Sequence, residues 1–359
     1  PFASLRKDGR PRKFAFIKLL SIASNVALNF FFLWLCPLMI NSGNTSLQQF
    51  ASAIYNPANA LSYVFIVNVI SSGVCILFLY REFLQFRFSF DSVLFKSMLI
   101  YSLPLLVAGL AGMVNETLDR IILNYLIPDP HEALHQQGVY GACYKLSILM
   151  TLGVQMFRYA AEPFFFSRMK QSDGKQVYAQ VMKYFVAACS FIFLLVVLYL
   201  DIFKYFIGKN YWEGLHVVPI LLFANLCLGV YLNQSMWYKL SGQTKYGMWF
   251  SLLGATITIV LNLILIPIMG YTGAAWTTLV CYATMMIVSY FAGQKFYPIA
   301  YELKTILSFI VLAVMLFAVS AIIHVQLQPQ LVTILLINTV LMAVFVFYVL
   351  KKLRLREVI

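Results

Sequence analysis

The chain has 359 residues, 62% of them hydrophobic and only 11% charged, with 26 Lys and Arg against 13 Asp and Glu. A mean hydropathy of +0.82 excludes an ordinary soluble domain, so the apolar surface is to be buried in lipid and not in one aqueous core. The net charge of +13 is spread over short polar links, which points to membrane topology and anionic headgroups and away from nucleic acid.

In chain order, a basic link at 1–13, with Arg6, Lys7, Arg10, Arg12 and Lys13, leads into an apolar segment at 14–39. About 20 apolar residues cross a hydrocarbon core of roughly 30 Å. On that measure nine more segments follow, at 60–80, 97–126, 138–166, 184–206, 217–237, 246–268, 271–292, 303–325 and 331–350. The links between them alternate in charge. Stretch 41–60 has no Lys or Arg, Arg81, Arg87 and Lys96 follow the second segment, and 128–137 lacks them again. Of the 26 basic residues, 20 fall on one side of this ladder, two (Lys204 and Lys209) on the other, and four within segments. By the positive-inside rule the basic side is cytoplasmic, and ten spans put both ends of the chain there. The segments are too long, and lack the period-two alternation, for spanning β-strands. The expected fold class is therefore all-α, a polytopic helical membrane protein.

Residues 81–96 interleave Phe83, Leu84, Phe86, Phe88 and Phe90 with charges, and read as an amphipathic stretch in the headgroup plane that links two bundles. An internal echo supports two lobes. Lys13 precedes Asn29 by 16 residues and Lys245 precedes Asn262 by 17, and both segments close on a proline, Pro37 and Pro267. Repeats of this kind build two lobes around a central site in many transporters. The chain opens on Pro1, and no small-residue cleavage site follows its basic stretch, so it reads as the continuation of a longer protein.

Ionisable groups at the centre of a spanning helix cost about 2.5–3.5 kcal/mol each, so those inside segments mark where function is to be sought. Glu116, Asp119 and Arg120 in the third segment are three and four residues apart, which places them on roughly one helix face. The fourth segment carries Lys145, then Arg158 and Glu162 four residues apart, followed by Pro163. The short link 128–137 makes the two helices antiparallel neighbours. Lys145 then lies roughly 10 Å from its outer helix end, at 1.5 Å per residue, within reach of Glu116 or Asp119. These six groups argue for a hydrated, partly cationic cavity, Arg offering planar donors and Lys a compact charge to phosphate oxygens. The competing reading is a set of structural ion pairs. Lys18, one turn from the cytoplasmic end of the first segment, belongs either to that cavity or to the interface by snorkelling. Asn233, Gln234 and Trp237 are candidates for the same wall, with Trp237 equally placed as an interfacial anchor. Tyr140 and Tyr144, beside Lys145, are candidates to stack on sugar rings.

His131-Glu132-Ala133-Leu134-His135 matches the H-E-x-x-H pattern of zinc peptidases. It falls in a link opened by Pro128-Asp129-Pro130 and closed by Gly138. With no long helix to carry it and no third ligand at a suitable spacing, it reads as a solvated turn. Cys36, Cys75, Cys143, Cys189, Cys227 and Cys281 stand singly, so neither a disulfide framework nor a metal knuckle is expected. No Gly-rich phosphate loop or nucleophile triad stands out, and the chain is expected to be no enzyme, with no cofactor and no metal.

Several blocks in sequence carry a resemblance. They are Pro1-Phe2-Ala3-Ser4-Leu5-Arg6 leading into Lys13-Phe14-Ala15-Phe16-Ile17-Lys18, then Leu118-Asp119-Arg120-Ile121-Ile122-Leu123, and Gly138-Val139-Tyr140 with Tyr144-Lys145. Phe157-Arg158-Tyr159-Ala160-Ala161-Glu162-Pro163-Phe164 follows, and Trp237-Tyr238-Lys239-Leu240-Ser241-Gly242-Gln243-Thr244-Lys245 with Asn262, Pro267 and Gly273-Ala274-Ala275. In this order and spacing the chain resembles the polysaccharide (O-antigen-type, Wzx-like) flippases of the multidrug/oligosaccharidyl-lipid/polysaccharide exporter superfamily. The resemblance implies a MATE-like bundle of two six-helix lobes and a final helix pair, of which about four N-terminal helices are lacking here. On it, 1–13 is a cytoplasmic link, 14–80 the remnant of the first lobe and 81–96 the inter-lobe link. Residues 97–292 are then the second lobe, 303–350 the final pair and 351–359 a cytoplasmic tail.

The implied function is alternating-access translocation of a polyprenyl-pyrophosphate-linked oligosaccharide across a bacterial inner membrane. Arg120, Lys145, Arg158 and Lys18 would offset the phosphate charge. Glu116, Asp119 and Glu162 would pair with these cations at rest and serve proton or sodium coupling. The partners implied are the lipid-linked oligosaccharide, membrane lipids and the glycan polymerase or export machinery. Two other readings stay open. A cation-coupled multidrug antiporter of the same superfamily calls for a more acidic lumen than four cations and three acids provide. A non-transporting membrane scaffold has no need of charges inside its spans.

Overall fold

The computed structural model describes residues 5, 10–84, 90–168, 174–327 and 330–354. No strand occurs among them, and the chain divides into two units, Pro1–Asp91 and Ser92–Ile359.

In the first unit, α1 (Pro11–Phe30) continues through a single π turn, Phe31–Leu35, into Cys36–Ile40. Pro37 has no N–H to offer the carbonyl one turn back, and its ring crowds that carbonyl. The backbone responds by slipping register, so that the Cys36 N–H bonds the carbonyl of Phe31. The stretch 41–60, read above only as polar and free of basic residues, contains a second helix, α2 (Thr45–Ile54). Asn44 caps it by accepting from the Ser46 N–H at 3.1 Å. Its apolar Leu47, Phe50, Ala51 and Ile54 share one face. Next comes α3 (Ala60–Phe78), packed along α1 with Asn25 Nδ2 donating to Asn68 Oδ1 at 2.8 Å. A short helix, Tyr80–Leu84, follows it. There Lys13 Nζ donates to Glu82 Oε1 at 2.6 Å, which holds the Glu82 carboxyl below the usual carboxylate range. Of the expected amphipathic stretch 81–96, residues 85–89 lie outside the described residues.

The second unit contains α4 (Ser92–Leu126), α5 (Pro130–Arg168), α6 (Gly174–Leu198) and α7 (Val218–Gln234). It continues with α8 (Lys245–Met269), α9 (Tyr271–Phe296), α10 (Leu303–Leu327) and α11 (Leu331–Arg354). Helix α4 packs on α8, α8 on α9, α9 on α7, α7 on α5, and α5 back on α4. This closes a ring. Gly254 sets a close spacing in it, because a Cβ there would lie 2.5 Å from Met285 Sδ and 2.8 Å from Asn115 Nδ2. The α8–α9 turn uses Gly270 at φ +57°, a backbone that side chains resist. The main apolar core lies between α5, α6 and α7, around Met150, Val186, Leu194 and Leu222. Both α10 and α11 pack on α6. Asn338 of α11 takes the Ser320 hydroxyl at 2.7 Å and donates to the Leu198 carbonyl at 2.5 Å.

Among the described residues nine helices are long and apolar enough to cross a membrane. The chain is an all-α, polytopic membrane protein. Ten spans were expected, and the one outside the nine is the expected fourth, 138–166, which corresponds to α5. At 39 residues, α5 is roughly 58 Å long at 1.5 Å per residue, about twice the hydrocarbon thickness. Its polar opening turns, together with Lys145, Arg158 and Glu162, dilute its apolar character. The expected sixth span is composite. It starts as 3-10 helix Lys209–Val217, runs through α7, is interrupted at Ser235 and resumes as Met236–Leu240.

Candidate functional site: a charged cleft in the second unit

Five helices of the ring do not close on one another at the centre. Ala108, Gly109 and Gly112 of α4 contribute almost no side-chain bulk, and a Cβ on either glycine would meet nothing within 4 Å. The result is an open cleft of about 500 Å³, within the range of small-molecule sites. Its ionisable lining residues are Glu116 of α4, Arg158 and Glu162 of α5, and Lys239 of the short helix after α7. Tyr231, Tyr238, Ser251 and Tyr282 add hydroxyls to the wall.

Glu162 organises the charges. Its Oε1 accepts from Lys239 Nζ at 2.6 Å and lies 3.5 Å from Arg158 Nε, one helical turn earlier. The Tyr101 hydroxyl of α4 donates to the Lys239 carbonyl at 3.4 Å, and Thr244 Oγ1 to the Tyr101 carbonyl at 3.1 Å. The turn carrying Lys239 is thereby tied to α4. Glu116 is exposed to the cleft, and among the described residues it has no ion pair.

One layer away the environment is dry. Asp119 is only 2% exposed. It accepts from the hydroxyl of fully buried Tyr140 and, at 2.8 Å, from the Arg120 backbone N–H. Tyr140 also lies 3.4 Å from Thr278 Oγ1, so α4, α5 and α9 meet on this cluster. The Arg120 guanidinium stacks 4.5 Å over the Tyr144 ring.

Several expectations need correction in this light. Asp119, Arg120 and Glu116 do not share one environment, since Asp119 is buried, Arg120 lies on Tyr144, and only Glu116 lines the cleft. Lys145 is exposed on α5, and no ion pair among the described residues joins it to Glu116 or Asp119. The physical reason is rotational: Lys145 is five residues on from Tyr140, on a different side of the helix from the residue that meets Asp119. Tyr140 and Tyr144 are buried in these contacts and present no face for a sugar to stack on. Trp237 is held among Tyr238, Tyr246, Phe250 and Phe296 and lines, with Gln234, a separate small void. Asn233 lines a small void beside the cleft that it shares with Arg158 and Glu162. Lys18 is exposed on α1, in the first unit.

Lys239 was missed. Counting basic residues assigned it to a cytoplasmic link, whereas the interruption at Ser235 sets its helix against α5, where it reaches Glu162. The signal was its charge-opposite partner on another helix, which no local spacing reveals.

The H-E-x-x-H stretch also differs from expectation. It lies on the opening turns of α5 and not in a turn, with Asp129 Oδ1 capping the His131 N–H at 3.0 Å. Glu132 accepts from Gln136 at 2.8 Å, and His135 Nδ1 lies 3.6 Å from Glu213. No three His, Cys, Asp or Glu side chains gather as metal ligands among the described residues.

No family model and no curated protein matches the chain. Among solved structures, it is similar to a MOP superfamily transporter from Pyrococcus furiosus, at 17% identity and a TM-score of 0.45, over 63% of this chain and 52% of that one. The chain thus spans about half the length of that transporter.

Proposed function

We propose that the chain is part of an alternating-access membrane transporter, and that its cargo is an amphiphile with an anionic head, of the polyprenyl-pyrophosphate-linked oligosaccharide type. The observation that carries this reading is the cleft itself: four ionisable side chains from three elements face an open space among largely apolar helices. Exposed to acyl tails, such groups would each cost about 2.5–3.5 kcal/mol. A polar lumen that admits water and a headgroup removes that cost, while the lipid tail stays in the bilayer. Arg158 and Lys239 then receive phosphate oxygens, and Arg120 of α4 and Lys145 of α5 extend a cationic path. The positive-inside bias of the basic links supports cytoplasmic ends for the chain, and the cargo type goes with a bacterial inner membrane.

The test is translocation of a fluorescent prenyl-pyrophosphate-linked oligosaccharide in proteoliposomes of the longest natural form of the protein. Wild type is expected to expose the label to an impermeant quencher, and the double variant Arg158→Ala/Lys239→Met to leave it protected. A wild-type rate equal to that of protein-free vesicles would sink the reading.

One observation favours a second reading, a cation-coupled multidrug antiporter. Glu116 lines the cleft with no ion pair among the described residues, as a site for a cationic cargo or coupling ion requires. Efflux of a cationic dye that Glu116→Gln abolishes, with no movement of the anionic lipid, would decide for it.

A further inference from the structure

We infer that Glu162 is a built-in substitute for the cargo's anionic group: Arg158, Lys239 and Asn233 form an oxyanion subsite at one edge of the cleft, and the carboxylate fills it until a phosphate or pyrophosphate displaces it. This rests on the transport reading above and assigns the subsite within it.

The donors around Glu162 outnumber what it satisfies. Lys239 Nζ is well placed at 2.6 Å, but Arg158 Nε, at 3.5 Å, makes no hydrogen bond among the described residues although the atom is buried. Asn233 is only 7% exposed, and its Nδ2 is likewise buried without a partner among the described residues. Arg158, Glu162 and Asn233 line one small void together with Ala161 and Gly229, and Arg158 and Glu162 also line the cleft. Two donors, from α5 and the Met236–Leu240 helix, therefore hold a single carboxylate, and a third, Asn233 of α7, lines the same void. Buried donors without partners are costly, and an ordinary structural ion pair would not leave two of them beside it. A phosphate carries more oxygens than a carboxylate in a tetrahedral array, and charge-assisted bonds to Arg and Lys are the strong ones. It suits the set better than Glu162 does. Glu162 sits on the same helix as Arg158, so it leaves by side-chain rotation alone and is available to return when the cargo departs. The empty carrier thereby keeps its cations neutralised in the bilayer.

The consequence runs against the usual effect of neutralising a site residue. In lipid nanodiscs, the full chain with Glu162→Gln is expected to bind farnesyl pyrophosphate about tenfold more tightly than wild type, the scale of one released charge-assisted bond. Adding Lys239→Met to that variant should remove the gain. Inorganic pyrophosphate serves as the second probe. A gain confined to the farnesyl compound supports the subsite and names a lipid headgroup as its occupant, and an equal gain supports it with a free anion as occupant. Glu162→Ala provides an independent variant, with thermal melting to show that each protein is folded. Binding by either folded variant that is equal to or weaker than wild type overturns the inference, while wild-type translocation leaves the transport reading standing. If neither binding nor translocation occurs, both fall.

Discussion

Asp119 and Glu162 are carboxylates set in the apolar helices of one unit, and their surroundings treat them in opposite ways. Asp119 is sealed from solvent and held by a tyrosine hydroxyl and a backbone N–H, with no side-chain cation bonded to it among the described residues. Glu162 opens on the cleft and is held by a lysine and an arginine that are themselves partly exposed. The first arrangement is a fastening among α4, α5 and α9, whose value is that the Asp119 carboxylate and the Tyr140 hydroxyl satisfy each other in a dry interior. The second is an exchangeable pair, weak because water and other anions compete for it. A charge inside an apolar helix is thus not one kind of evidence. Its partners and its access to space separate structure from function.

The largest expected effect lies on the dry side. Gly254→Leu would drive a side chain into Met285 and Asn115, atoms already within 2.8 Å of a Cβ. We expect a cost at or above the usual 1–3 kcal/mol of overpacking, seen as poor yield and a sharply lowered melting temperature in detergent. A normal melt would show that α4, α8 and α9 are not as close as described. Asp119→Ala comes next. It leaves the Tyr140 hydroxyl buried with only Thr278 near it, at about 1–3 kcal/mol, whereas Asp119→Asn keeps an acceptor and should recover most of the loss. If both variants melt like wild type, the fastening has no weight.

On the wet side the stability effect should be smaller and the functional one larger. Lys239→Met is expected to shift stability by less than about 1 kcal/mol while translocation falls at least tenfold in the vesicle assay. A drop in melting temperature as large as that of Asp119→Ala would erase the contrast between the two regions. The smallest effect extends the comparison to the first unit, where Lys13 and Glu82 form another partly exposed pair. Lys13 lowers the Glu82 pKa in the folded protein, so its contribution is complete above the ordinary carboxylate pKa. It is lost as pH falls through the lowered value. Glu82→Gln should therefore cost less than about 1 kcal/mol near neutral pH and flatten the acid limb of a stability–pH curve. An unchanged acid limb would count against the pair.

The ladder of spans was legible because lipid imposes a length and an apolarity that local sequence must meet, and α3 and α8 to α11 follow it closely, whereas α6 (Gly174–Leu198) begins ten residues before the expected 184–206. Helix α5 shows where that reading weakens. Its Arg158 and Glu162 line the cleft whereas Lys145 does not, and an average along the helix cannot say which face each occupies. The π turn before Pro37 and the short helix α2 follow from local rules, a missing N–H and an Asn cap, but they fall below the scale of a span.

The candidate site was half legible. Glu116, Arg158 and Glu162 stood out because charge is rare in an apolar segment. Lys145, by contrast, was assigned a partner it does not have, because helical spacing fixes the face a residue occupies only when the rotation of the helix against its neighbour is known. Composition and period settle that this chain lives in a membrane and roughly where it crosses, since solvent and lipid act on each segment separately. Which carboxylate meets which cation, and which is shut away from water, arises from packing among segments far apart in the chain, and that is where Lys239 joins Glu162 and Tyr140 joins Asp119.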